Sequence, residues 1–255
     1  MNLISTTSGQ GPQLVLLHGW GLNSGVWQSC ITQLNTSFTV TTIDLPGFGL
    51  NHQKLPAPYT LEAVAELISE ILPNPCILLG WSLGGLLAQK IALIAAQKIK
   101  HLVLVSSSPR FIADGNWPGV QSNVLSNFNA QLELNLAATV NRFMAIQAMG
   151  SPTAKQDIKV IKEQMDHYPA ANPLALSAGL QLLEDSDLRS EFANIQCPVD
   201  FILGRLDSLV PLKLQENLSA LHHKANITVF DNSSHAPFIS EPQRFIEVLT
   251  NIVWN

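Results

Sequence analysis

The sequence predicts an α/β fold: a mostly parallel central sheet flanked by helices, with a helical segment inserted between two strands. Three observations predict it. Short apolar runs bounded by Gly, Pro or Ser alternate with longer helical patterns, the mark of βαβ units. From about Phe111 to Asp185 that rhythm stops, and helical spacings such as Val140, Phe143, Met144 and Gln147 replace the strand runs. Finally, 255 residues with 46% apolar and only 13% charged side chains suit one hydrophobic core and exclude a disordered chain.

In chain order, strands are expected at 13–18, 38–44, 76–80, 101–106, 199–204 and 227–230. Each is short, apolar and closed by turn residues. A helix over 60–72 opens with Thr60 as N-cap and places Leu61, Val64, Leu67, Ile68 and Ile71 on one face. A second helix follows at 83–96, and a last one at 241–253 carries Pro242 in its first turn. In the insertion, Gly150-Ser151-Pro152 and the segment 168–173 separate helical stretches. The expected division is a core of residues 1–110 and 186–255, with a helical cap at 111–185.

A formal net charge of −5 argues against a nucleic-acid partner, which needs a basic footprint. Cys30, Cys76 and Cys197 are widely spaced, form no CxxC pair or zinc ladder, and read as buried small hydrophobes in a reducing cytosol. Residues 1–20 lack Lys and Arg, and the apolar run 14–17 is too short for a signal segment or a membrane span. A cytoplasmic monomer with no membrane partner is therefore expected.

Directly after the run Cys76-Ile77-Leu78-Leu79 comes Gly80-Trp81-Ser82-Leu83-Gly84-Gly85, and a helix follows at once. This is G-x-S-x-G in its strand, turn, helix setting, which makes Ser82 the candidate nucleophile. The sharp turn strains the Ser82 backbone and leaves no room for side chains two positions to either side, hence Gly80 and Gly84.

A serine hydroxyl is a weak nucleophile at neutral pH and needs a base, itself held in one tautomer by a third group. With such an elbow the acid and then the base follow at later strand ends. The loop Gly204-Arg205-Leu206-Asp207-Ser208 leaves the strand 199–204, so Asp207 is the candidate acid. Its rivals are Asp200, inside that strand, and Asp231, too near the base. Among seven histidines, His235 alone lies on a loop after a strand, in Ser233-Ser234-His235-Ala236-Pro237. His52, His101, His167 and the pair His222-His223 read as surface or capping residues.

The oxyanion formed during acyl transfer requires donors. The backbone N–H of Leu83, after the nucleophile, is one; the loop Leu17-His18-Gly19-Trp20-Gly21 supplies the N–H of Trp20 as the other. His18 is expected to shape that loop by hydrogen bonding. Acyl-enzyme chemistry with these groups requires no metal or organic cofactor.

Taken together, His18-Gly19, Asp44-Leu45-Pro46-Gly47-Phe48-Gly49, the Gly80–Gly85 elbow, Gly204–Pro211 and Ser234–Phe238 resemble the α/β-hydrolase superfamily, whose sheet carries an inserted cap. Within it the chain looks most like the methyl ester esterases of biotin synthesis, through LLHGWGLNSGVW at 16–27, LGWSLGG at 79–85, Trp117-Pro118-Gly119 and HAPFIS at 235–240. That resemblance implies hydrolysis of the methyl ester of pimeloyl-acyl carrier protein, with the carrier as substrate partner. It carries over Ser82, Asp207 and His235 as the triad, and suggests substrate contacts at Trp20, Leu83, Phe143, Met144, Ala145, Ile146 and Gln147.

Carrier proteins are acidic, so a chain of net charge −5 would dock one through a local basic patch. Arg142, Lys155, Lys159 and Lys162 are the candidates; the lysines fall at i, i+4 and i+7 on one helix face. An ordinary solvated face remains the alternative there, since Asp166 lies on much the same side. For the whole chain the alternatives are a general carboxylesterase, thioesterase or carbon–carbon bond hydrolase with the same triad, or a ligand receptor with vestigial hydrolysis.

Overall fold

The central strands run apolar without a break because both faces of the sheet are covered. In a computed structural model, which describes residues 1–222 and 225–254, Leu14, Leu16, Ile77, Leu79, Val103 and Val105 pack to one side with Leu34, Phe245 and Leu249. Their neighbours Val15, Leu17, Leu78, Leu102 and Leu104 pack to the other with Ile68, Leu86 and Leu183. Alternate residues thus feed two cores. His223 lies outside the described residues.

The elements follow in the order β1 (Ser5–Gly9), β2 (Gln13–Leu17), α1 (Gln28–Leu34), β3 (Thr39–Ile43), α2 (Leu61–Glu70), β4 (Cys76–Trp81), α3 (Leu83–Ile94), β5 (Ile99–Val105), α4 (Ser122–Leu134), α5 (Leu136–Ala148), α6 (Ala154–Met165), α7 (Pro173–Asp185), β6 (Val199–Gly204), α8 (Gln215–Leu221), β7 (Asn226–Phe230), α9 (Pro237–Ser240) and α10 (Pro242–Trp254). The α/β expectation holds. Thr60 caps α2, its hydroxyl accepting from the Ala63 N–H at 3.2 Å. The segment 111–185 carries α4 to α7, and α7 packs against α4 and α3.

The described residues form a seven-stranded sheet in the order β1-β3-β2-β4-β5-β6-β7, with β1 antiparallel and the rest parallel. Strand β1 has no counterpart among the predicted strands. Its sequence, Ser-Thr-Thr-Ser-Gly, is polar and largely exposed because it forms the sheet edge, so it lacks an apolar signal.

Strand order decides where a site forms. From β2 the chain moves outward to β3 and then returns past β2 to β4, so the loops leaving β2 and β4 diverge to opposite sides. That reversal is a topological switch point, and parallel sheets bind ligands at the carboxyl edge of such a point. The two loops are those holding Gly19-Trp20 and Ser82.

Buried Asp44, after β3, ties the loop after β2 to its own loop. Its carboxylate accepts the Ser24 N–H at 2.6 Å and the Leu50 N–H at 2.8 Å, while its carbonyl accepts from Asn51 Nδ2 at 2.7 Å. Gly49 (φ 46°) must be glycine, because a Cβ there would lie 2.4 Å from the Asp44 carboxyl. Asp44→Ala orphans two backbone amides at about 1–3 kcal/mol each. We expect the melting temperature to fall by roughly 4–24 °C, at about 2–4 °C per kcal/mol. Thermal denaturation checks this, and an unchanged midpoint would mean the amides find other partners.

Candidate active site

The elbow between β4 and α3 has the strain its glycines predict. Ser82 sits at φ 55°, ψ −119°, a conformation rare for a residue with a side chain. A Cβ on Gly80 would lie 2.3 Å from the Gly84 carbonyl oxygen, and one on Gly84 would lie 2.5 Å from the Leu17 and His18 carbonyls. Bonds to the backbone over-determine the turn. The Ser82 N–H donates to the Val105 carbonyl at 3.0 Å, and the Ser107 hydroxyl donates to the Ser82 carbonyl at 2.9 Å. Ser107, at the end of β5, has no motif to announce it; it also touches the place a Gly85 side chain would take, at 2.4 Å.

His235 and Asp207, from loops after β7 and β6, meet across 28 residues of sequence. Nδ1 of His235 lies 2.7 Å from Oδ2 of Asp207, both side chains fully buried. A carboxylate only accepts, so Nδ1 carries the proton and Nε2 is left with its lone pair. The other Asp207 oxygen accepts the N–H groups of Leu209 at 2.8 Å and Val210 at 3.0 Å. Both carboxylate oxygens are therefore engaged. Nε2 of His235 is buried without a hydrogen-bond partner, as are both amide atoms of the Gln147 side chain. Buried unpaired atoms are costly, and a ring nitrogen with its lone pair free is what a general base requires.

The rival acids have partners elsewhere. Asp200 holds Nε2 of His101 at 2.6 Å, at the opposite edge of the sheet, and exposed Asp231 pairs with Arg205 at 3.6 Å. His18 is buried and bridges two loops: Nδ1 donates to the Gly19 carbonyl at 2.8 Å, and Nε2 accepts the Leu45 N–H at 3.0 Å. That pattern requires a neutral ring. Burial correspondingly holds His18 below its ordinary imidazole range, against the opposing pull of Asp44.

Leu83 opens α3, so its N–H is among the first four that have no acceptor within the helix. The Gly19-Trp20 backbone passes against Ser82, since a Cβ on Gly19 would lie 3.2 Å from the Ser82 Cβ. Trp20 is fixed by its indole N–H, which donates to the Leu176 carbonyl of α7 at 2.8 Å. Its ring meets Phe143 of α5 edge-on, with centroids 4.6 Å apart. Phe143 in turn meets Phe128 at 5.5 Å.

The helical repeat divides the segment 143–147. Phe143, Met144 and Gln147 are buried and Ile146 half-buried, whereas Ala145 is exposed, because a helix does not present five successive residues to one face. Arg142, Lys155, Lys159 and Lys162 are all exposed. Arg142 bonds Gln131 at 3.0 Å and lies over the Phe128 ring, and Lys159 pairs with Glu163 at 3.7 Å. The sequence-predicted residues thus divide by burial: Trp20, Ser82, Leu83, Phe143, Met144, Gln147, Asp207 and His235 are buried, whereas Ala145 and the four cations are exposed.

Ser82 is only 1% exposed. A cleft of about 360 Å³ lies between the loop after β2 and the segments α5 to α7, lined by Gly21, Leu22, Val140, Met165, Tyr168 and Leu176. It is mainly apolar, as an alkyl chain requires.

A family model described as Alpha/beta hydrolase family matches residues 14–248. The chain is 49% identical over 245 residues to a pimeloyl-[acyl-carrier protein] methyl ester esterase of Pseudoalteromonas atlantica, covering 96% of this chain and 95% of the relative. It is 45% identical over 249 residues to the protein of that name from Vibrio cholerae, covering 98% and 97%. Among solved structures, an esterase from Exiguobacterium antarcticum superposes with a TM-score of 0.89 at 22% identity, covering 99% of this chain and 96% of that one, a likeness of fold.

Proposed function

The chain belongs to the alpha/beta hydrolase family, and from that premise we propose that it is a carboxylic ester hydrolase that cleaves the methyl ester of pimeloyl-acyl carrier protein in biotin synthesis. What carries this reading is the 44–49% identity, over nearly the whole chain, to curated enzymes of that name. The buried Asp207–His235 pair and the strained serine agree with it.

In the proposed mechanism His235 Nε2 takes the Ser82 proton as the hydroxyl oxygen attacks the ester carbonyl. Asp207 keeps Nδ1 protonated and holds the imidazolium that forms. The N–H groups of Leu83 and Trp20 receive the oxyanion. His235 then returns its proton to the departing methoxide, and methanol leaves an acyl-Ser82 ester. Water, deprotonated by the same nitrogen, attacks that ester and frees the carboxylate. The apolar cleft and Phe143 hold the acyl chain, while Arg142, Lys155, Lys159 and Lys162 attract the acidic carrier. We place the enzyme in the cytoplasm as a monomer; free thiols at Cys30, Cys76 and Cys197 suit a reducing compartment.

The test offers pimeloyl-acyl carrier protein methyl ester to the purified protein and weighs the product. Loss of one CH₂ from the acylated carrier, with methanol released, is expected. Carrier stripped of its acyl group would make the protein a thioesterase, and preference for short p-nitrophenyl esters over the carrier substrate would make it a general carboxylesterase.

A further inference from the structure

We infer that Trp81 and Ser234 are positioning residues for the base, tying His235 to the nucleophile's strand on one side and to the cap on the other. The inference rests on the catalytic assignment above. Asp207 grips His235 at Nδ1 alone, and an imidazole held at one nitrogen still pivots. The backbone of His235 decides where Nε2 points.

Both backbone groups of His235 are held from outside their own loop. Its carbonyl accepts the indole N–H of Trp81 at 2.7 Å, and its N–H donates to the carbonyl of Gln147, at the end of α5, at 3.0 Å. One residue earlier, the Ser234 hydroxyl donates to the Met149 carbonyl at 2.9 Å, just beyond the same helix. The base is therefore clamped between the residue that precedes Ser82 and the cap helix that carries Phe143.

Trp81 is fully buried, with its ring against Phe238 at 4.9 Å and Trp27 at 6.3 Å. That packing asks only for an aromatic ring. The indole nitrogen adds the bond that packing does not need, and it spans 154 residues of sequence to reach the base. Because α5 both meets Trp20 and holds the base loop, displacing the cap to admit substrate also loosens His235. The site is assembled only when the cap is seated.

Trp81→Phe keeps an aromatic ring and deletes the donor; Ser234→Ala deletes the second tie. Turnover is measured per active site, counted by fluorophosphonate titration, so that loss of folded protein does not enter. For Trp81→Phe, kcat should fall between about 10-fold and 100-fold, the range for a reacting group displaced by up to about 1 Å. KM should stay unchanged, and the rate of fluorophosphonate attack by Ser82 should fall by the same factor. The low-field proton resonance of the His235–Asp207 hydrogen bond should broaden or shift. A smaller loss of the same kind is expected for Ser234→Ala, which decides the matter if Trp81→Phe does not fold. Parent kcat and labelling rate in the folded variants, beside an inactive Ser82→Ala, would overturn this inference alone. Full activity in Ser82→Ala would overturn the catalytic assignment and this inference with it.

Discussion

Ser82→Ala is expected to fold like the parent chain and to lose turnover by about 10⁶-fold, the size of effect that removing a triad serine has in a serine protease. The fold should survive because no bond that shapes the elbow uses the Ser82 side chain. Its N–H goes to Val105, and its carbonyl receives Gly85, Leu86 and Ser107. Alanine inherits the backbone strain at φ 55° without adding to it. What disappears is the atom that attacks the carbonyl, together with acyl-enzyme formation. The measurements are steady-state hydrolysis of a short p-nitrophenyl ester and covalent labelling by a fluorophosphonate, with circular dichroism for the fold. Ester cleavage within 10-fold of the parent, allowing about that margin for contaminating activity, would remove Ser82 from the mechanism.

Asp207→Asn should lower kcat by about 10⁴-fold with little change in stability, as the matching change does in another serine hydrolase. The reason is legible in the bonds. One oxygen of residue 207 must keep accepting from the N–H groups of Leu209 and Val210. An asparagine therefore turns its NH₂ toward His235, and Nδ1 becomes the acceptor. The remaining ring proton moves to Nε2, which then no longer accepts from Ser82. Binding of a substrate analogue should be unaffected, so KM and kcat separate. A loss below about 10-fold would show that the carboxylate does not set the tautomer.

Much of the site was legible because its chemistry is local. The G-x-S-x-G turn announces itself through glycines whose side chains would strike backbone 2.3–2.5 Å away, a constraint that lies within a few residues. Asp207 and His235 could be picked out by position alone, each on the first loop after a late strand. Strand β1 escaped because its residues gain their place from backbone bonds to β3 and carry no apolar periodicity. Ser107, Trp81 and Ser234 escaped for a related reason. Each acts through a hydrogen bond to a backbone carbonyl distant in sequence, and such a bond leaves no trace in residue spacing.

By itself the sequence determined the α/β class and the elbow, and it offered the candidate nucleophile and the strand ends for a candidate acid and base. These follow from short-range sterics and from periodicities of two and 3.6 residues, which a chain carries in its own order. The tertiary structure alone decided that Asp44 ties the loops after β2 and β3 together and that Ala145 is exposed. It also decided that Ser82 is buried and that α5 and the elbow together hold the backbone of His235. Those are meetings between segments tens to more than a hundred residues apart, set by which faces can be buried together in one core.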